Sequence, residues 1–414
     1  MNARLDEGAA PLRQPVADAR LPFADTRLPF DLARLDRLLD DAGIDVLVVS
    51  SKHNIQYLLG GYRFFFFDHF DANGIIRYLP LLVYPKGDPT RALYVGHGME
   101  EAYEKELGKF WMSDTAAAAT SVGAMEQAIA HLNKLGLPNP RIGVERSFLP
   151  ADAEEALRRA FPGATIVEAI RPLETLRARK TPTELACLRE ASDRVVDAML
   201  TVMASHGPGS TKRELVEALR REEVARGLAF EYCLVASGAS LNRAPSEVVW
   251  REGEILSLDS GGNYRGYIGD LCRMAILGEP DAELRDLLAE VDAIQQAARK
   301  PIRAGTRGGD IFVSAEAALK RSPIAALTDF VAHGMGLVTH EAPRLANRGS
   351  FQYPPDHADL PLEEGMVISI ETTLKHPRRG FIKLEDTVAV TAEGWVGFGD
   401  AGRGWNRGGT KAPG

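Results

Sequence analysis

Ile382-Lys383-Leu384-Glu385-Asp386-Thr387-Val388 sets acids inside a strongly apolar β pattern, and Val367-Ile368-Ser369-Ile370-Glu371-Thr372 upstream does the same. A carboxylate buried without a partner costs several kcal/mol, so acids in such strands pair with cations or bind a metal. Further back, Asp259 ends the apolar run Ile255, Leu256, Leu258. Asp270 follows 270 − 259 = 11 positions later, past a Gly-rich turn, and Leu271, Met274 and Ile276 carry the strand beyond it. His333 lies between Phe330-Val331-Ala332 and Gly334-Met335-Gly336. Singly, each has a bland reading: an acid at a strand end is usually a turn or cap residue, and a buried His is usually a satisfied core group. Together, four carboxylates and an imidazole form a hard, oxygen-rich donor set. Such a set suits two divalent ions bridged by shared carboxylates, with Mn, Co, Fe or Zn all suitable. The expectation is that Asp259, Asp270, His333, Glu371 and Glu385 converge on one site.

These strands belong to the second half of a 414-residue chain, long enough for two domains. Leu32, Leu35, Leu38 and Leu39 show helical spacing up to Gly43, and Val46 to Val49 then reads as a buried strand, as do Leu81 to Val83, Leu93 to Val95 and Thr165 to Val167. A new domain opens at Thr181-Pro182-Thr183-Glu184, a capping box with Pro at the first helical position. Thr211 with Glu214 repeats the device. The expected layout is a flexible arm at 1–20, an α/β domain at 21–175, an α+β catalytic domain at 176–402 and a flexible Gly-rich tail at 403–414.

Apolar residues make up 45% and charged residues 26%, with no run approaching the roughly 20 apolar residues of a membrane span. The first residues lack the apolar segment of a secretory signal. Three scattered cysteines argue for a reducing compartment, so the expected location is cytoplasmic. A net charge of −8 without a basic block excludes nucleic acid as the main partner and favours a small neutral, zwitterionic or cationic substrate.

The ordered set Asp259, Asp270, His333, Glu371, Glu385 resembles the metal-ligand set of the pita-bread superfamily, which includes methionine aminopeptidases, prolidases, Xaa-Pro aminopeptidases and creatinases. The flanking residues are similar too: Gly266, Tyr267 and Arg273 around Asp270; Gly334 to Gly336, then His340, Glu341 and Pro343 after His333; Glu364, Gly365 and Met366 ahead of Glu371. The two-domain layout, with Asn54, Ile55, Tyr57, Leu58 and Gly60 in the first half, resembles the creatinase and prolidase branch. The resemblance implies a pita-bread catalytic domain behind a creatinase-like α/β domain. It also implies that Asp259 chelates one ion, Asp270 and Glu385 bridge, and His333 with Glu371 holds the other. His340 would hydrogen-bond the developing oxyanion, Glu371 would shuttle a proton, and a C–N bond in a dipeptide-like or modified amino-acid substrate would be hydrolysed.

The chain departs from the peptidase pattern at three places. After Ala236-Ser237-Gly238 and Pro245, Ser246 stands where a second catalytic His is expected; Lys383 stands where proline-specific members often have Arg; and Thr372 and Thr373 replace Pro-Gly. The implied consequence is poor Xaa-Pro activity and a small charged substrate held by Ser246, Arg344, Lys383 or the aromatic block Tyr62 to Phe70. That block is expected either in the core or at a homodimer contact reaching the partner's site, where its rings would hold a cation. A metal-dependent lyase of a small osmolyte-like compound and a non-catalytic binding module are the alternatives.

Overall fold

Asp31 starts the first helix, α1 (Leu32–Ala42), by accepting the Arg34 N–H at 2.9 Å, and Gly43 ends it in the left-handed region at φ 62°. The structure, a computed structural model, describes residues 28–69, 72, 74, 77–102, 110–346 and 353–410. The arm expected at 1–20, Phe70 of the aromatic block and the last residues of the expected tail lie outside the described residues.

Six strands form the first sheet: β1 (Val46–Val49), β2 (Leu81–Pro85), β3 (Leu93–Gly96), β4 (Asp114–Ala117), β5 (Arg141–Val144) and β6 (Thr165–Glu168), in the order β4-β3-β2-β1-β5-β6. Strand alternation sorts its side chains between two layers. Val46, Val48, Leu81 and Val83 face α3 (Ser121–Leu135) and α4 (Ala151–Ala160). Leu47, Val49, Leu82 and Tyr84 face α1, α2 (Lys52–Leu58) and α5 (Ile170–Ala178). Phe64 and Phe67 of the aromatic block belong to this second layer, whereas Phe65 is exposed.

The second unit opens with two capped helices, α6 (Pro182–Ser205) and α7 (Lys212–Ala225), both with complete capping boxes. The strands β7 (Ala229–Ser237), β8 (Ile255–Tyr264), β9 (Tyr267–Ile276), β10 (Thr328–Gly334), β11 (Val367–His376) and β12 (Gly380–Val390) form a sheet ordered β10-β11-β12-β9-β8-β7. One face is covered by helices. Leu256, Leu258, Leu271 and Ala275 pack on α6 and α7, while Ile368, Ile370, Ile382, Leu384 and Val388 pack on α8 (Ala282–Arg299) and α9 (Asp310–Leu319). β13 (Trp395–Phe398) joins β12, and β14 (Asn406–Arg407) joins β9 in parallel.

Asp386 lies on the helix-covered face, with Arg273 at 3.1 Å and Arg299 at 2.9 Å, and Arg403 also pairs with it. Residues 403–410 therefore do not trail free as the tail reading expected: Arg403 and β14 anchor them to the sheet. The two units are joined by buried charge. Glu341 accepts Arg177 at 2.8 Å and Lys180 at 2.8 Å, and Gln56 Nε2 donates to the Arg265 carbonyl at 2.9 Å. Among the described residues no helix is long and apolar enough to cross a membrane.

Candidate metal centre

The register of the second sheet assembles the candidate ligands. Leu234, Asp259, Cys272, Glu385, Glu371 and Val331 are successive cross-strand partners, one transverse row from β7 to β10. Cross-strand partners point to the same face, so Asp259, Glu385 and Glu371 share the face opposite Leu256, Leu258, Leu384 and Ile370. Two residues along, about 7 Å away, Asp270 pairs with Gly261 and His333 with Ser369. All five expected ligands thus stand on one face within two adjacent rows.

Gly261 is needed in the second row. A Cβ there would meet the Tyr232 ring at 2.4 Å, and burial together with the charges of Asp270 and Asp259 pushes the Tyr232 phenol up. His333 Nε2 is 3.1 Å from Glu371 Oε1 and 3.8 Å from Glu385 Oε1, and its ring stacks on His340 with centroids 3.8 Å apart. Ser369 Oγ donates to Glu385 Oε1 at 2.8 Å. Burial, with Glu385 and Asp259 alongside, pushes the Asp270 carboxyl well above the usual range. Burial works against the charge on Glu371 as well, yet Lys383 and His333 hold it below the ordinary carboxylate value. For His333, burial is outweighed by the hydrogen bond to Glu371 and the nearby charges of Glu371 and Glu385, which raise the pKa to about 10. His340 goes the other way, lowered to about 3 by burial and by His333.

The donors fit a divalent cation. Asp270, His333 and Glu385 offer ligand atoms within 4.8 Å of one another, as do His333, His340 and Glu371. Asp270 Oδ1 is buried and accepts no hydrogen bond, and a buried carboxylate oxygen left so is an anomaly that a cation removes.

The expected substrate residues fare differently. Lys383 reaches inward, but its Nζ is engaged by carboxylates: Asp259 at 2.6 Å, Glu371 at 2.6 Å and Glu385 at 2.7 Å. Burial opposes its charge, and these three acids hold its pKa well above the usual value. Arg344 is clamped by both oxygens of Glu174 at 2.8 Å and lies over Tyr353. Ser246 hydrogen-bonds Val248 and, through its carbonyl, Arg213 on α7. The loop between β7 and β8 reaches the site through Arg243 instead, which pairs with Asp259. Tyr232 and Arg243 were missed in the sequence. Tyr232 had a signal, standing two positions before Leu234 on the same strand face; Arg243 had none.

A cavity of about 510 Å³ lined by Ser51, Arg63, Asp68, Asn263, Ile268 and Val338 opens beside the site. Asn263 and Ile268 are a cross-strand pair one row beyond Gly261 and Asp270. Asp68, in the aromatic block, therefore borders the cleft of its own chain.

Residues 186–392 match metallopeptidase family M24, and residues 32–179 match the creatinase/prolidase N-terminal domain. The uncharacterized peptidase YqhT of Bacillus subtilis (strain 168) is 27% identical over 376 residues, covering 88% of this chain and 96% of its own. The Xaa-Pro dipeptidase of Lactobacillus delbrueckii subsp. lactis is 24% identical over 376 residues, covering 89% and 96%. The solved Xaa-Pro dipeptidase from Bacillus anthracis superposes with a TM-score of 0.76 at 23% identity, over 91% of this chain and 98% of that one, and so shares the fold.

Proposed function

Since the chain belongs to metallopeptidase family M24, with a creatinase/prolidase N-terminal domain ahead of the catalytic one, we propose that it hydrolyses a C–N bond in a small dipeptide-like or modified amino-acid substrate at the carboxylate–histidine cluster. One observation carries this reading: five polar residues from five strands meet on one buried face, and Asp270 Oδ1 there accepts no hydrogen bond. Asp259, Asp270, His333, Glu371 and Glu385 are the proposed ligands. These residues would hold a divalent cation, which would supply Lewis-acid polarisation of the scissile carbonyl and a more acidic water.

The chain's own groups do the rest. Glu371, held ionised, accepts the proton of the attacking water. His340, neutral at ordinary pH, donates an N–H to the developing oxyanion. The cavity beside Asn263 and Ile268 takes the remainder of the substrate. The donor count suits two ions, of Mn, Co, Fe or Zn, and the Lys383 ammonium competes with one of them for the same oxygens. The relatives named for Xaa-Pro dipeptides support a peptide-like substrate, while Ser246 and Lys383 support an altered specificity. Three free, buried cysteines suit a reducing compartment.

The test is a steady-state assay of the chelator-stripped enzyme with Mn²⁺ or Co²⁺ restored, using Ala-Pro, Met-Pro, Gly-Pro and a panel of N-modified amino acids. Cation-dependent hydrolysis is expected, with kcat/KM for the proline dipeptides below about 10⁴ M⁻¹s⁻¹. Rapid turnover of any of the three removes the altered specificity; no cation-dependent hydrolysis of any substrate removes the function.

A further inference from the structure

Lys383 Nζ lies 2.6 Å from Asp259 Oδ2, 2.6 Å from Glu371 Oε2 and 2.7 Å from Glu385 Oε2. These are charge-assisted distances. The three carboxylates form the transverse row that supplies three of the five donors, and Arg243 pairs with the same oxygen of Asp259. Resting on the reading of this cluster as a cation-dependent hydrolase centre, we infer that Lys383 is a built-in cation that takes one of the two cation positions. The site then accepts a single divalent ion, on the side of Asp270, His333 and Glu385.

Charge supports this count. With Asp270 ionised and His333 neutral, the forms in which each ligates a cation, four carboxylates carry 4− and Lys383 with Arg243 carries 2+, so 4 − 2 leaves 2−. One divalent ion neutralises that remainder. A second would leave 2+ in a site where Asp259, Asp270, Glu385 and Lys383 are all buried, and uncompensated buried charge is strongly disfavoured.

Geometry supports it as well. An ammonium 2.6 to 2.7 Å from three carboxylate oxygens already occupies the space among them that a second ion would take. Lys383 also comes from β12 two positions before Glu385, so its side chain shares the same face and, from the row of Thr373, reaches the carboxylates of the next row. Lysine is suited to this role because its head is a compact point charge that fits among three converging oxygens, whereas the planar fork of arginine favours two parallel contacts with one carboxylate.

The experiment counts ions. The full-length protein is stripped with chelator, equilibrated with Mn²⁺ and examined by native mass spectrometry, elemental analysis and electron paramagnetic resonance. One Mn²⁺ per chain with an uncoupled spectrum is expected for the wild type, and two per chain with spin coupling for Lys383→Met. Two coupled ions in the wild type overturn the inference and leave the hydrolase reading intact. No bound ion in the wild type overturns both. A folded Lys383→Met that still binds one ion removes Lys383 from the role. If that variant does not fold, Lys383→Gln takes its place and the wild-type count still decides.

Discussion

Replacing Glu223 by Gln should stabilise the protein at neutral pH and leave it unchanged in acid. Glu223, on α7, meets the hydroxyl of Ser260, next to Asp259 but on the opposite face of β8. Ser260 Oγ is 2.8 Å from Glu223 Oε1 and 2.6 Å from the Tyr232 carbonyl. The hydroxyl has one hydrogen, and a carbonyl can only accept. If Ser260 donates to Tyr232, the second contact needs a hydrogen from Glu223, which must be a neutral acid. Burial agrees: it pushes the Glu223 carboxyl from the ordinary 4.5 to about 8, against the pull of Ser260 and Arg220, and Oε2 is buried without a hydrogen bond. Because the folded-state value is raised, the native state holds a proton that the unfolded chain has lost between about pH 4.5 and 8. Stability attributable to this group is therefore full below that window and falls as pH rises through it. At about 1.4 kcal/mol per pH unit, the loss reaches about 3 kcal/mol by pH 7. Glutamine mimics the neutral acid, keeps a donor for Ser260 and does not titrate. Thermal unfolding of both proteins from pH 4 to 9 should show melting temperatures that coincide near pH 4.5 and separate by several degrees at pH 7 in favour of Glu223→Gln. All other titrations cancel in the difference. A variant less stable than wild type at pH 8, or a pH-independent gap, refutes the argument.

Asp270→Ala should abolish metal retention and turnover while the fold persists, since the side chain removed is a buried acid with one oxygen unpaired; elemental analysis with circular dichroism checks it, and an active variant in chelator refutes it. His340→Ala should lower kcat and kcat/KM together by about 10²- to 10³-fold with metal content unchanged, the pattern of a lost oxyanion donor; stopped-assay kinetics on the best substrate decide. Arg177→Met breaks a fully buried pair with Glu341 and should cost about 3 to 5 kcal/mol; denaturant unfolding showing less than about 1 kcal/mol contradicts that assignment.

Helix starts were legible because their signals are local: both capping boxes, at Thr181 and Thr211, form as their spacing requires. Which side chains of each strand share the face of the proposed ligands was legible because strand alternation is also local. The sequence pattern places Asp259 at a strand end, and the structure does not. Gly261 and Gly262 read as a turn, but β8 runs on to Tyr264, so Asp259 sits in mid-strand. Those glycines answer to tertiary packing instead: a Cβ at Gly261 would meet Tyr232 at 2.4 Å, and one at Gly262 would meet Val195 at 2.5 Å. The true turn is at Arg265 and Gly266, both with positive φ, as a tight hairpin demands. Arg243 and the threefold engagement of Lys383 depend on which strands become neighbours, and no window of sequence holds that information. The same applies to Arg344, whose partner Glu174 comes from the other unit.

The back-to-back placement of Glu385 and Asp386 on β12 constrains how the chain can change length. Glu385 faces the ligand row, while Asp386 faces Arg273, Arg299 and Arg403. Inserting or deleting one residue in the hairpin between His376 and Gly380 would exchange the faces of every β12 residue relative to β11. Glu385 would turn to the helices and Asp386 would lose three guanidinium partners at once. A two-residue change would preserve the faces but slide the row by about 7 Å, past the reach of His333 and Asp270. Neither length is neutral if the turn does not absorb the change, so this hairpin should resist insertions although it is an exposed surface turn of the kind that ordinarily tolerates them.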